Sequence, residues 1–219
     1  MKIVISFVYY ETSLSAYNLK FFVENELKYR ENIDYIIVIN GMNCSVSLPK
    51  LNNLTVIRRE NTGFDFGGYM AALNYIKTKR IYYDYFFYLN CGIIGPIVPH
   101  YLKIHWSNFF IEKINDKVKL VGTTIACLPH HDAGGYGPKI EGFFFVTDRV
   151  GMELIDREKT IFQIHENKHS AIVNGEYGLS NCILRNGYSI DCMIKKYQGI
   201  DWTDRKNWNL NNNKHPSRK

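Results

Sequence analysis

The sequence predicts an α/β fold: an open, mainly parallel sheet sandwiched by helices. Three observations carry this. The 219 residues are 46% hydrophobic and 22% charged, enough chain to bury one large core and short for two. Strand-like and helix-like segments alternate through the first half, as βαβ units do. The strand-like segments are continuous apolar runs, the pattern of strands covered on both faces.

Residues 1–9 are an almost unbroken apolar run and the first strand. Ser13 or Ser15 is placed to cap a following helix, whose apolar positions Tyr17, Phe21, Phe22 and Leu27 recur at helical spacing. Tyr35-Ile36-Ile37-Val38-Ile39 is a second buried strand, stopped by the turn dipeptide Asn40-Gly41. Leu54-Thr55-Val56-Ile57 is a third. Residues 61–68 then open a helix carrying Met70, Leu73, Tyr75 and Ile76, and Tyr85-Phe86-Phe87-Tyr88-Leu89 is the fourth strand. In the second half, strands over 119–125 and 142–146 flank a loop rich in His, Gly and Pro at 128–139, a length usual for functional or mobile segments. A short helix over 178–184 ends at Asn186-Gly187, and Tyr188-Ser189-Ile190 leads into a final strand. Residues 202–219 are polar and make an ordered arm only if something holds them.

Composition narrows the function. Aromatic residues at 15%, with no Pro- or Gly-rich tract, exclude disorder for most of the length. No apolar run reaches the roughly 18 residues of a membrane span, and the N-terminal run meets Tyr10-Glu11-Thr12-Ser13 too early for a signal peptide. The net charge is +6, but residues 195–219 hold seven basic and two acidic side chains, so five of the six excess charges lie there. A balanced body argues against a nucleic-acid-binding face. The five cysteines (Cys44, Cys91, Cys127, Cys182, Cys192) are odd in number, widely spaced and set in apolar segments. That pattern predicts reduced, inert thiols in a cytoplasmic protein.

In an open parallel sheet the ligand crevice lies beyond the carboxyl ends of the strands. Asn40-Gly41, residues 61–68 and Asn90-Cys91-Gly92 fall there. For Asn40-Gly41, turn chemistry alone is a sufficient account. Residues 61–68 place three glycines and Asp65 between a strand and a helix start, where backbone N–H groups and the helix dipole favour a diphosphate. The segment is neither Gly-x-Gly-x-x-Gly nor a P-loop.

Asn61-Thr62-Gly63-Phe64-Asp65-Phe66-Gly67-Gly68, then Tyr88-Leu89-Asn90-Cys91-Gly92-Ile93-Ile94-Gly95-Pro96, then Gly175-Glu176-Tyr177-Gly178-Leu179-Ser180 with Asn186-Gly187-Tyr188 resemble the successive motifs of small GT-A glycosyltransferases. The resemblance is to rhamnan-synthesis-type enzymes and to the chlorovirus (Chlorella virus) domains that build capsid glycans. It runs in order over residues 1–200. It implies a GT-A-like open mixed sheet (α/β/α) in one domain, with a nucleotide-sugar-binding half at 1–100 and an acceptor and catalytic half at 101–200; the basic arm at 201–219 has no closing strand or cap, so it could lead into further domains of a longer chain. It also implies a cytoplasmic location, the host cytoplasm for a viral source.

Carried over position by position, the resemblance implies that Phe7, Val8 and Tyr9 hold the nucleobase, one aromatic offering a stacking face; core packing is the competing role for Tyr9. Asn40 would read the base edge. Asn61, Gly63, Asp65 and Gly68 would hold ribose and phosphate, with Asn90, Cys91 and Gly92 beside them. These enzymes usually carry Asp-x-Asp at that last place, binding Mn or Mg across the diphosphate, so Asn90-Cys91-Gly92 puts a metal cofactor in doubt. The leaving diphosphate still needs positive charge, for which Lys214, His215, Arg218 and Lys219 of the tail are candidates against a merely solvated end.

Glu176 is the candidate general base, the alternative being a helix cap. Glu141 could serve as the base instead or contact sugar hydroxyls, and His131, in the long loop, could contact the acceptor. The expected activity is inverting transfer of a hexose, of rhamnose or glucose type, from a UDP-linked or similar donor to a glycan or glycoprotein acceptor. A non-catalytic nucleotide- or carbohydrate-binding module on the same fold is the alternative. Neither nucleic acid nor a membrane span is expected.

Overall fold

A computed structural model describes residues 1–128, 130–210 and 214–216. The sheet grows from β1 (Ile3–Tyr10), whose side chains Ile3 to Tyr9 are all buried. Ile5, Phe7 and Tyr9 feed one hydrophobic layer while Val4 and Val8 feed the other, so one strand serves both cores. Strands β2 (Ile33–Asn40) and β3 (Leu54–Arg59) stack in parallel on one side of β1, and β4 (Tyr85–Asn90) lies parallel on the other. Helix α1 (Ser13–Asn25) packs on the Phe7 face, and α2 (Phe64–Lys79) packs on the Val8 face. The connections therefore reverse direction at β1 and β4, which opens a crevice at their carboxyl ends.

The cap of α1 differs from the expected serines. Thr12 is the N-cap, accepting from the Ser15 N–H at 3.1 Å. Tyr17 is exposed, and the helix buries Asn18, Leu19 and Phe22 instead.

The second half completes a seven-stranded sheet of order β3-β2-β1-β4-β8-β5-β9. After the short helix α3 (Ser107–Ile111) come β5 (Val118–Gly122), the two-stranded pair β6 (Ile125–Ala126) and β7 (Lys139–Ile140), and β8 (Phe144–Asp148). Strand β8 runs against both β4 and β5, making the sheet mixed. The expected strand over 119–125 breaks at Gly122, where a Cβ would sit 2.6 Å from Ile140. Helix α4 (Arg149–Arg157), absent from the sequence expectation, starts at Asp148, which accepts from the Gly151 N–H at 2.9 Å. Helix α5 (Lys168–Ser170), a π-helical turn (Ala171–Tyr177), α6 (Gly178–Arg185) and β9 (Ser189–Cys192) follow.

Beyond β9, buried Trp202 anchors the chain and its carbonyl accepts from the Trp208 indole at 2.9 Å, while Trp208 packs on Tyr136. The five cysteines are free, three of them buried. Burial pushes the Cys127 thiol up to about 12 and the Cys192 thiol to about 11, so both are inert at neutral pH. Among the described residues no helix is long and apolar enough to cross a membrane.

One polar cluster ties the segment after β4 to the body. Glu26, just past α1, is almost wholly buried and accepts from Tyr35 Oη at 2.7 Å, His105 Nε2 at 2.9 Å and Trp106 Nε1 at 2.8 Å. Burial raises the carboxyl pKa, but His105, Tyr35 and Arg30 outweigh it, and the net shift is downward. The folded carboxyl thus titrates below its unfolded value of about 4.3, so its contribution is present above that pH and lost as pH falls through the folded value. Replacing Glu26 with Ala removes the carboxylate from Tyr35, His105 and Arg30 and strands the buried Trp106 indole N–H, at a cost of about 3–5 kcal/mol. Urea unfolding at pH 7 measures that loss, and the difference between variant and parent should shrink at pH 3.

Candidate active site at the sheet edge

Register places the candidate residues. Tyr10 lies opposite Asn40, Asn40 opposite Arg59, and Val8 opposite Asn90, so all reach one edge of the sheet. The turn into α2 is left-handed at Gly63 (φ 73°) and Phe64 (φ 55°). Glycine is needed at 63, since a Cβ would meet the Ile164 backbone at 2.7 Å. Asn40 holds this turn, donating to the Phe64 carbonyl at 3.2 Å and accepting from Arg59 Nη1 at 2.7 Å. Arg59 also donates to Thr62 Oγ1 at 3.0 Å, which sets a guanidinium beside the start of α2. Among the described residues no side chain caps that helix start, and uncapped N–H groups at a helix start favour an anion.

Inside the turn, Asp65 Oδ2 accepts from Asn90 Nδ2 at 2.6 Å, and Asn90 Oδ1 accepts from the Gly92 N–H at 2.8 Å. The Asp65 carboxyl is pushed above its ordinary value, first by burial and then by the charge of Glu176; the Asn90 bond opposes this. A cation bridging a diphosphate here would find one carboxylate, an amide oxygen already engaged, a glycine, and the Cys91 sulfur, which accepts from the Tyr10 N–H at 3.4 Å. That set does not fit Mn or Mg, which want several free oxygen ligands. Among the described residues no cluster of three or more His, Cys, Asp or Glu is placed to hold a metal ion.

Phe66 joins this turn to the second half. A Cβ on Gly175 would meet its ring at 2.7 Å, and one on Gly142 would meet it at 3.1 Å, so the two glycines form a socket. Glu176 follows Gly175 on the π-helical turn, a distortion often found at functional sites. Its Oε2 accepts from Lys139 Nζ at 2.9 Å and its Oε1 from the Gly142 N–H at 3.3 Å. Lys139, 2% exposed, also pairs with Glu141 at 3.4 Å. Glu141 in turn lies 3.2 Å from His215 Nε2, and Asp132, 3.8 Å from the same nitrogen, accepts from the Tyr177 hydroxyl at 3.3 Å. Burial pushes the Tyr177 phenol well up, with Asp132 adding to it. A chain of charged groups thus runs from the π turn through β7 to the C-terminal arm.

Asp65 is hydrogen-bonded to Asn90, and Glu176 is linked through Lys139 to Glu141; of the tail candidates His215 reaches Glu141. Lys214 is exposed, and Arg218 and Lys219 lie outside the described residues. Several expectations need correction. Phe7, Val8 and Tyr9 are buried in the core layers, Phe7 packing on Phe22 at 4.9 Å, and none offers a free stacking face; the exposed aromatic at that strand end is Tyr10. Tyr9 is also tied through its hydroxyl to Glu11, whose carboxylate is gripped by Ser45. Gly68 lies beneath α2, where a Cβ would strike the Val8 methyls at 2.7 Å, so it serves close helix–strand packing and not phosphate. Asn40 spends its amide on Arg59 and Phe64 rather than on an open edge. Asn61 is exposed at the turn, and His131 is exposed and lies against Tyr136. Sequence reading missed Arg59 and Lys139. Arg59 has a local signal, a cation at a strand end before the Gly-rich turn; Lys139 has none.

Asp65 yields a sign that can be checked. Its folded pKa is raised, so the ionised form at neutral pH opposes folding. Asp65→Asn should therefore raise Tm, measured by thermal unfolding at pH 7. The gain should fade as pH falls through the raised value and the parent carboxyl becomes protonated.

No protein-family model matches the chain, and no curated protein matches it. Among solved structures, the mannosyltransferase PcManGT from Pyrobaculum calidifontis, in complex with GDP-Man and Mn2+, is similar over 87% of this chain and 54% of its own, at 11% identity and a TM-score of 0.50. The glycosyltransferase GlyE of Streptococcus pneumoniae TIGR4 covers 87% of this chain and 45% of its own, at 11% identity and TM-score 0.35 for the apo form and 12% and 0.40 for a second structure. The chain spans about half the length of these structures. What it shares with the mannosyltransferase is the fold, the open mixed α/β/α sheet of GT-A glycosyltransferases.

Proposed function

We propose that the protein is a glycosyltransferase that moves a hexose from a nucleoside-diphosphate donor to a hydroxyl of a glycan or glycoprotein, with inversion. The observation that carries this reading is that the Phe66 ring, seated against Gly142 and Gly175, joins the turn that holds Asp65 against Asn90 at the end of β4 to the turn that holds Glu176 against the Gly142 N–H. The donor diphosphate lies at the uncapped start of α2, with Arg59 beside it. Asp65 accepts from ribose hydroxyls. The acceptor hydroxyl gives its proton to Glu176 as its oxygen bonds to the anomeric carbon and the bond to the diphosphate breaks. Lys139 pairs with Glu176 and aims it. Charge on the leaving group is met by backbone N–H groups, Arg59 and the C-terminal arm. A UDP-linked donor of rhamnose or glucose type is the substrate proposed from the motif resemblance; the solved mannosyltransferase carries GDP-Man and Mn2+.

The alternative, a binding module without turnover, is favoured by the donor set at Asn90-Cys91-Gly92. Incubation with labelled nucleotide sugars separates the two, since only an enzyme releases nucleotide. Glu176→Gln should lower turnover by about 10² or more while donor binding, read by calorimetry, is retained. Turnover above a tenth of the parent would leave Glu176 as a structural anchor. A chelator should leave the parent's donor affinity unchanged.

Removing residues 210–219 takes His215 away from Glu141 and Asp132. Donor affinity should fall by about tenfold, the worth of one charge-assisted hydrogen bond. An unchanged titration curve would take the arm out of the donor site.

A further inference from the structure

On the opposite face of the sheet, the chain between β4 and α3 roofs a second site. Beneath it lies a cavity of about 290 Å³, floored by Phe7 and Leu89, walled by Phe22 and Phe110 and roofed by Val98 and Leu102. Among the described residues lining it, the polar side-chain groups are the Thr123 hydroxyl and the Trp106 indole N–H, which is spent on Glu26. The volume is at the lower end of the range for ligand pockets. A second cavity of about 630 Å³ shares residues 96–99, Leu102 and Trp106 with the first, so the two meet along one wall.

The second cavity has the opposite chemistry. Lys28, Arg30 and Lys103 line it against the single acid Glu26, and Glu26 is consumed by His105, Trp106 and Tyr35. Among the described residues no salt bridge engages Lys28 or Lys103, and both side chains are exposed. The shared wall turns an apolar group outward as well: Ile97 is 74% exposed, and neighbouring Tyr101 is exposed too. An apolar slot opening beside unpaired ammonium groups complements a molecule with a hydrocarbon chain and an anionic head.

We propose that this face binds a single-chain amphiphile with a phosphate head, its alkyl chain in the slot under residues 96–102 and its phosphate against Lys28 and Lys103. The site is on the α1 and α3 side of the sheet and does not depend on the transferase reading. Glu26 positions it by holding His105 and Trp106 at the end of the roof.

The test is a series of alkyl phosphates from hexyl to tetradecyl, each below its micellar concentration, titrated by calorimetry and by tryptophan fluorescence, since Trp106 borders both cavities. Affinity should rise about tenfold for every two methylenes and then level off when the slot is full. Lys28→Glu with Lys103→Glu should weaken alkyl phosphates at least tenfold and leave alkanols of equal length unchanged. Leu102→Trp should abolish the gain with chain length; thermal unfolding of both variants checks that they fold. Inorganic phosphate alone should bind at least a hundredfold more weakly than the longest alkyl phosphate. The proposal is overturned if alkanols bind as tightly as alkyl phosphates, if inorganic phosphate binds as well as the amphiphile, or if phosphatidylglycerol vesicles capture the protein while monomeric alkyl phosphates do not.

Discussion

A buried ammonium cannot stand alone, and Lys139 is all but sealed from water. Leaving such a charge without a partner costs several kcal/mol, so its neighbours are fixed by electrostatics before any ligand arrives. Glu141, two residues on, and Glu176, carried by the π-helical turn, supply the partners. That pairing fixes the two-stranded β6–β7 flap against the helical layer. It also aligns Glu141 with His215, which draws the C-terminal arm across the site. The geometry of the second half is largely a solution to the problem posed by one lysine.

The first half is organised by close backbone approach. Gly68 lets α2 settle on Val8, and Gly63 lets the left-handed turn pass the Ile164 backbone. Neither helix nor turn could sit at that distance with a side chain in between. The half-buried Asp65 carboxyl, its pKa raised first by burial, is held there by Asn90.

Strand positions were legible in the sequence because β1, β2 and β4 are covered on both faces and so read as unbroken apolar runs. The α2 start was legible from Gly63 and Asp65. Helix α4 was harder, since its signal is one cap residue and a short amphipathic stretch. Site residues on ordered strand ends, Asn40 and Asn90, could be placed, but their partners could not. Nothing local distinguishes an Asn amide facing a ligand from one spent on Arg59 and Phe64. The same limit applies to Phe7 and Tyr9: alternation along a strand shows that they share a face, while only packing shows that α1 covers it. Lys139 is the extreme case, because its burial depends on partners in sequence both near and far.

The Phe66 socket carries one more consequence. Phe66 belongs to the first turn of α2, while Gly142 and Gly175, which receive it, come from the second half of the sequence. Recombining the halves of two relatives would therefore succeed only where ring and socket match, whatever the fit of their sugar-contacting residues. A side chain added at 142 or 175 would displace the Phe66 ring, so a change at any of these three positions calls for an answering change at another.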